Sequence, residues 1–318
     1  MTYTWIKQLS SLSKAKDKEK LLEQAWKAGE RKLFEGLQLG LNPYMFYHFN
    51  TIALITEKDD ADDGINWQSF KRFINLISNK SLTGGKLQAQ VTEWVDTAAV
   101  DMWNEFYRRI LLKNWEQTIT ITTYNRAMNR LSKNDIQATK FICPTLGYQK
   151  FQIGEAGQFI GGEYFVDPFI DGKRQLIVAL KNQNILKVWD KKYLDIEING
   201  GAEFLKPLPI DIVLDTMYDG ETWFVIDVAP VEQFKDGFVN HSLMERHDAL
   251  CGLHELLLES FGGKVKILAK KKISLNESNK LQEALTDLED QGFSYAVVKE
   301  SRSLYKFGKN NHWVKVKT

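Results

Sequence analysis

The chain has little cysteine: two thiols, Cys143 and Cys251, in 318 residues. Two cysteines so far apart make no disulfide framework, so buried free thiols in a reducing compartment are expected. A charge excess of either sign is missing too. The 42 Lys and Arg against 41 Asp and Glu leave a formal +1, so any contact with nucleic acid must come from local patches, not from a global field. No apolar run approaches the roughly 18 residues of a membrane span. The opening MTYTWIKQLSSLSKAKDKEK lacks the apolar core of a secretion signal. Neither membrane nor export is therefore expected, and a cytoplasmic location is. There is no internal repeat and no low-complexity tract. What remains is 43% hydrophobic and 12% aromatic, enough to build two domains with cores of their own.

The two halves carry different periods. From about Ser10 to Leu131 the apolar residues recur at helical spacing. Leu87, Val91, Trp94, Ala98, Met102, Phe106 and Ile110 predict one face of a long helix opening after Leu82-Thr83-Gly84-Gly85. The acidic EKDDADDG, Glu57 to Gly64, has no apolar face and reads as a solvated loop. After about Thr139 the pattern becomes short runs punctuated by glycine: Phe165 to Leu180, Ile212 to Tyr218, Thr222 to Val228, Val265 to Leu268, Tyr295 to Lys299 and Trp313 to Lys317. Asp219-Gly220 between two of these runs predicts a hairpin. Ser274-x-x-Glu277 predicts a capping box for a helix on Leu281, Leu285 and Leu288 that stops at Gly292. HDALCGLHELLLESF predicts a packed amphipathic helix. The join lies near Asn134 to Cys143, giving domains over 1–138 and 139–318.

Several of these stretches resemble the ATP-dependent DNA ligases, most closely those of tailed phages, over nearly the whole chain. KSLTGGKLQAQV and RRILLKNWEQTITITTYNR are similar to the helical DNA-binding domain of that family, with Thr118 where the family usually has glycine. FIDGKR, Phe169 to Arg174, resembles the nucleotide-binding K-x-D-G-x-R. DIVLDTM resembles a strand that normally reads V-L-D-G-E, and WFVIDV the strand after it. QGFSYAVVK resembles E-G followed by three apolar residues and lysine, and HWVKVK the closing lysine-rich strand. The implied fold is multi-domain α and α+β: an all-helical DNA-binding domain, then a ligase-type nucleotidyltransferase domain of antiparallel sheets with flanking helices.

In the family a lysine amine attacks the α-phosphate of ATP and keeps AMP as a phosphoramidate. An arginine downstream contacts the ribose region, two glutamates hold ribose and metal, and the last lysines neutralise phosphate charge. This chain departs at the reactive positions. Phe169 stands at the nucleophile, Met217 at the first glutamate, and Ser294 at the second, with Tyr295 for its glycine. The stretch LKVWDKKYL offers Val188 or Trp189 where the intervening motif has arginine. Asp171, Gly172, Arg174, Lys299, Lys315 and Lys317 survive. Losing Lys and Glu together is consistent, because removing only one partner of a buried charged network leaves an unpaired charge. An apolar plug is expected where AMP would sit. The oligonucleotide-binding barrel that follows in the family is expected to be missing here.

The expected function is a non-catalytic, ligase-like binder of duplex DNA with little sequence specificity. It would be an accessory or subunit in phage replication, repair, transcription or counter-defence, with possible protein partners in a nucleic-acid assembly of the host cytoplasm. No cofactor and no metal are expected. His241, His247 and His254, with Glu245 and Glu255, are not spaced as a compact ligand set. Candidate DNA contacts are Lys80, Thr83, Gly84, Gly85 and Lys86 at a helix start, Arg108, Arg109 and Lys113 at a helix end, and Lys270, Lys271 and Lys272 in the densest basic cluster with Lys264 and Lys266. Each has a plainer reading as a turn, a dipole-favoured cation or a solvated face. Two alternatives stand beside this one: a ligase using a displaced lysine such as Lys173, and a protein scaffold that does not bind DNA.

Overall fold

A computed structural model of the chain describes residues 1–56, 65–190, 206–276 and 279–318. It divides into two compact units, Met1–Thr145 and Leu146–Thr318. The acidic stretch 57–64, the part of LKVWDKKYL beyond Asp190, and Glu277 of the expected capping box lie outside the described residues.

The first unit is helical: α1 (Thr2–Ser11), α2 (Ala15–Lys27), α3 (Arg31–Leu41), α4 (Trp67–Ser78), α5 (Gly84–Thr97), α6 (Val100–Met102), α7 (Arg108–Leu112) and α8 (Ile121–Leu131). Its core is aromatic, with Phe34, Phe70, Trp103, Phe106, Tyr107 and Tyr124 fully buried. The residues expected on one helical face do reach this core, but not on one helix. Ala98 and Ala99 are extended, so α5 stops at Thr97, and α6 leads through a π-turn over Trp103–Tyr107 into α7. A helical period continues on both sides of such a break, so spacing alone does not reveal it. The extra residue of the π-turn brings Trp103, Phe106 and Tyr107 inward together.

The second unit is mostly antiparallel sheet. One five-stranded sheet has the order β1 (Gln149–Ile153), β12 (Gly308–Lys317), β10 (Tyr295–Glu300), β2 (Glu163–Pro168), β9 (Lys271–Ser274). The other runs β4 (Ile185–Asp190), β3 (Lys173–Leu180), β5 (Ile212–Tyr218), β6 (Trp223–Pro230), β8 (Val265–Ile267). β7 (Phe238–Ser242) and β11 (Leu304–Lys306) form a two-stranded ribbon. Only β1 with β12 and β6 with β8 pair in parallel among the described strands. Among the described residues four α-helices accompany the sheets: α9 (Val231–Phe234), α10 (Leu243–Gly252), α11 (His254–Ser260) and α12 (Lys280–Asp290).

Alternation along the strands sets two cores. Val166, Ala296, Val298, Val314 and Val316 turn one face of the first sheet to Leu281, Ala284, Leu285 and Leu288 of α12. Ile177, Ala179, Leu214 and Val225 of the second sheet pack on Leu250 of α10 and Leu257 of α11, with Phe261. The opposite faces carry the polar residues described below.

Several expectations change. The run Phe165 to Leu180 is two strands in different sheets, with Phe169–Gly172 crossing between them. The Asp219-Gly220 hairpin closes over four residues, since Tyr218 pairs with Trp223 and the Asp219 carboxylate accepts from the amides of Glu221 and Thr222. Ser274 ends β9, paired with Glu163, while α12 begins only at Lys280. A capping box forms instead at Ser242 and Glu245 of α10. HDALCGLHELLLESF is not one helix, because α10 and α11 meet at Leu253.

Candidate functional site

The FIDGKR stretch is held by its backbone. The Phe169 amide donates to the Tyr295 carbonyl at 2.9 Å, which fixes it to the end of β10. Gly172 passes so close to the neighbouring strand that a Cβ there would stand 2.6 Å from the Tyr218 carbonyl oxygen. The glycine of this motif thus has a packing reason independent of any nucleotide. Asp171, Gly172 and Lys173 are exposed, and Lys173 opens β3 opposite Tyr218.

Pairing register collects residues remote in sequence on one face of the first sheet. Asp167 faces Val297, Phe165 faces Lys299, Lys299 faces Trp313, Val297 faces Lys315, and Tyr295 faces Lys317. The half-buried Phe169 ring meets Phe151 edge-on at 6.0 Å and Tyr295 at 6.4 Å. The Lys315 ammonium sits in the wedge between Phe169 and Tyr295, 3.4 Å from the Phe169 ring centre and 4.0 Å from that of Tyr295. Phe151 stacks on Trp313, and the Arg174 guanidinium lies 4.5 Å over Tyr148 and 4.6 Å over Phe151. The surroundings of Phe169 are therefore aromatic, with cations held on the rings. Met217 is buried on β5 opposite Arg174, and Ser294 is exposed.

Beneath the rings lies a buried ionic cluster that sequence reading foresaw only in part. Lys299 donates to Asp167 Oδ2, which Lys270 also approaches at 3.4 Å while donating to the Ile226 carbonyl at 2.7 Å. Asp167 Oδ1 has no hydrogen-bond partner among the described residues. Arg174 grips Asp215 with two bonds of 2.8 and 2.5 Å, and Tyr305 donates to the same carboxylate at 2.6 Å. Arg246 holds Asp227 at 2.9 and 2.8 Å and donates further to the carbonyls of His241 and Ser303. Burial pushes the Lys299 ammonium down to about 8 against the pull of Asp167. Burial alone would raise the Asp227 carboxyl, but Arg246 outweighs it and holds the group below the ordinary carboxylate value. Asp215 and Asp227 lie inside DIVLDTM and WFVIDV, stretches that resemble family motifs. Asp167, Arg246 and Tyr305 lie outside those stretches, and partners on other elements make them a network.

Phe169 carries no amine, and Met217 and Ser294 carry no carboxylate. Among the described residues no group of three or more His, Cys, Asp or Glu is placed to hold a metal ion. His247 lies instead beside Cys251, with Sγ 3.8 Å from Nε2, and against the Phe165 ring.

The basic candidates divide sharply. In the first unit Arg108 donates to the Ile52 carbonyl, Arg109 to Thr118 and Glu105, and Lys113 to the Asn42 carbonyl. Burial pushes Lys113 down to about 7. These three cations are turned to partners within their own unit. So is Lys270, whose side chain is 1% exposed, whereas Lys271 and Lys272 make surface pairs with Asp287 and Glu163. Lys80, Thr83, Gly84, Gly85 and Lys86 are all exposed, and Gly84, at φ +61, adopts a backbone that favours glycine. Thr118 is fully buried, bonded to Ser10 and Arg109, and its φ is not positive.

No protein-family model matches this chain, and no curated protein does. Among solved structures, those named Pmar-Lig_PreS3 and Pmar-Lig_Pre. are similar over 100% of this chain and 78% of theirs. Their identities are 20% and 18%, with TM-scores of 0.53 and 0.51. The ATP-dependent DNA ligase of bacteriophage T7, solved in complex with ATP, matches 54% of this chain and 68% of its own at 12% identity and a TM-score of 0.43. What the first two share with this chain is the fold. No described helix is long and apolar enough to cross a membrane.

Proposed function

We propose that this protein is a ligase-like binder of duplex DNA that does not adenylylate itself. The observation that carries the reading is the Phe169 ring, which the motif resemblance aligns with the family's nucleophile, packed against Phe151 and Tyr295 with Lys315 laid on it. A benzyl group has no electron pair to give to phosphorus, so no phosphoramidate forms there. The losses at Met217 and Ser294 agree with it, because a pocket without the amine has no use for metal-holding carboxylates. Duplex binding rests on the helical unit, through the exposed Lys80–Lys86 loop and its glycine-containing helix start. Contacts of that kind read phosphates, so binding is weakly sequence-specific and falls steeply with salt. The resemblance to phage ligases supports a setting in phage nucleic-acid metabolism, as an accessory or subunit.

The test is incubation with α-labelled ATP and magnesium, followed by denaturing electrophoresis. The expected result is no covalent label. A labelled band, mapped to Lys173 or to the low-pKa Lys299, would establish the enzyme reading in its place. A salt titration of duplex binding checks the other half: no binding even at low salt would leave a protein scaffold.

A further inference from the structure

On the first sheet one residue that departs from the family pattern, Tyr295, does more than fill space. Tyr295 stands where the family has glycine and is 44% exposed, with its one described ring partner, Phe169, meeting it edge to face. Directly across the strand pair is Lys317, exposed and without a hydrogen bond or ion pair among the described residues. Among the described residues Lys315 likewise has no carboxylate partner, only the two rings. Ile153, 92% exposed, pairs with Lys315 on the next strand and extends the same face. The other side of these strands is closed by α12, so this face alone looks outward at the Tyr295 end. A flat aromatic ring beside two ammonium groups lacking counter-charges matches the two parts of one nucleotide unit: a π-surface for the base and cations for its phosphates. An acidic peptide would satisfy the lysines but leave the ring and Ile153 unused.

We infer that Tyr295, with Lys317 and Lys315, forms a stacking platform for an unpaired base of DNA, so that the protein prefers duplexes with a single-stranded tail. The inference rests on the DNA-binding reading but uses different residues from those of the helical unit. One stacked base is worth about tenfold in affinity.

The experiment measures anisotropy and fluorescence with the full chain and three probes: a blunt duplex, the same duplex with a short tail carrying 2-aminopurine, and the tail strand alone. The tailed duplex is expected to bind about tenfold tighter than the blunt one, with quenching of 2-aminopurine. Tyr295→Ala is expected to abolish both the preference and the quenching while leaving blunt-duplex binding unchanged, and Tyr295→Trp to keep them. Lys317→Gln should weaken tail binding and flatten its salt dependence. Equal affinity for blunt and tailed probes, or a preference that survives Tyr295→Ala, overturns the platform. Loss of blunt-duplex binding in the wild type overturns the duplex reading instead. The tail strand then decides the platform, which stands if Tyr295-dependent quenching persists and falls if it does not.

Discussion

Restoring the missing amine is the most direct perturbation of the aromatic site. Phe169→Lys removes two edge contacts, to Phe151 and to Tyr295, each worth about 0.5 kcal/mol at a half-exposed position. It gives up part of the ring's burial, about 1 kcal/mol once the lysine stem is allowed for. It also exchanges the attraction of Lys315 for the Phe169 ring, worth about 0.5 kcal/mol, for repulsion between two ammonium groups, about 1 kcal/mol in a water-like medium. The expected destabilisation is roughly 3.5 kcal/mol, with Phe169→Leu costing roughly 1.5 kcal/mol because it keeps burial and avoids the second charge. Urea unfolding reads both numbers. The same Phe169→Lys protein, incubated with α-labelled ATP and magnesium, is expected to stay unlabelled, because Met217 and Ser294 supply no carboxylate for the metal. A loss below 1 kcal/mol would refute the packing argument. A covalent AMP adduct would refute the claim that the site has lost more than its nucleophile.

Two further outcomes test the buried charges. Asp227→Asn is expected to cost about 3 to 5 kcal/mol, since it leaves the Arg246 guanidinium buried without its counter-charge, and pairing it with Arg246→Met should recover much of that loss. Additive losses in urea unfolding would show that the two residues do not act as a pair. The second outcome concerns pH. Lys113 at about 7 and Lys299 at about 8 lie below their unfolded value, so above those values the unfolded chain binds more protons and stability rises with pH. Each lysine adds about 1.4 kcal/mol per pH unit across its window, until Cys143, raised by burial to about 12, opposes the trend above pH 9. The unfolding midpoint should therefore rise from pH 7 to 9, and Lys113→Met should flatten the lower part of that rise. A midpoint falling over this range would contradict the assignment.

Some of this was legible before any coordinates. The change from helical to alternating period separates the all-helical unit from the sheet unit, because burying one face of a helix or strand imposes its period locally. The Asp219-Gly220 turn and the stop at Gly292 are local backbone matters, and Gly292 does adopt φ +89. The order of the motif-like stretches was readable as well. The absence of an amine at Phe169 is a property of the residue itself, whatever surrounds it.

Other features depended on which strands and helices come together. The break at Ala98 keeps the helical period on both sides, so only packing discloses it. Lys113, Arg108, Arg109 and Lys270 carry the same charge as Lys86 in the sequence, yet the fold turns them to internal partners and leaves Lys86 in solvent. The wedge of Phe169, Tyr295 and Lys315 exists because β10 lies between β12 and β2 in a fixed register. Sequence decides which chemistry each side chain is capable of, since that is covalent. Tertiary structure decides which side chains meet and which face water, since burial and pairing are set by elements far apart along the chain.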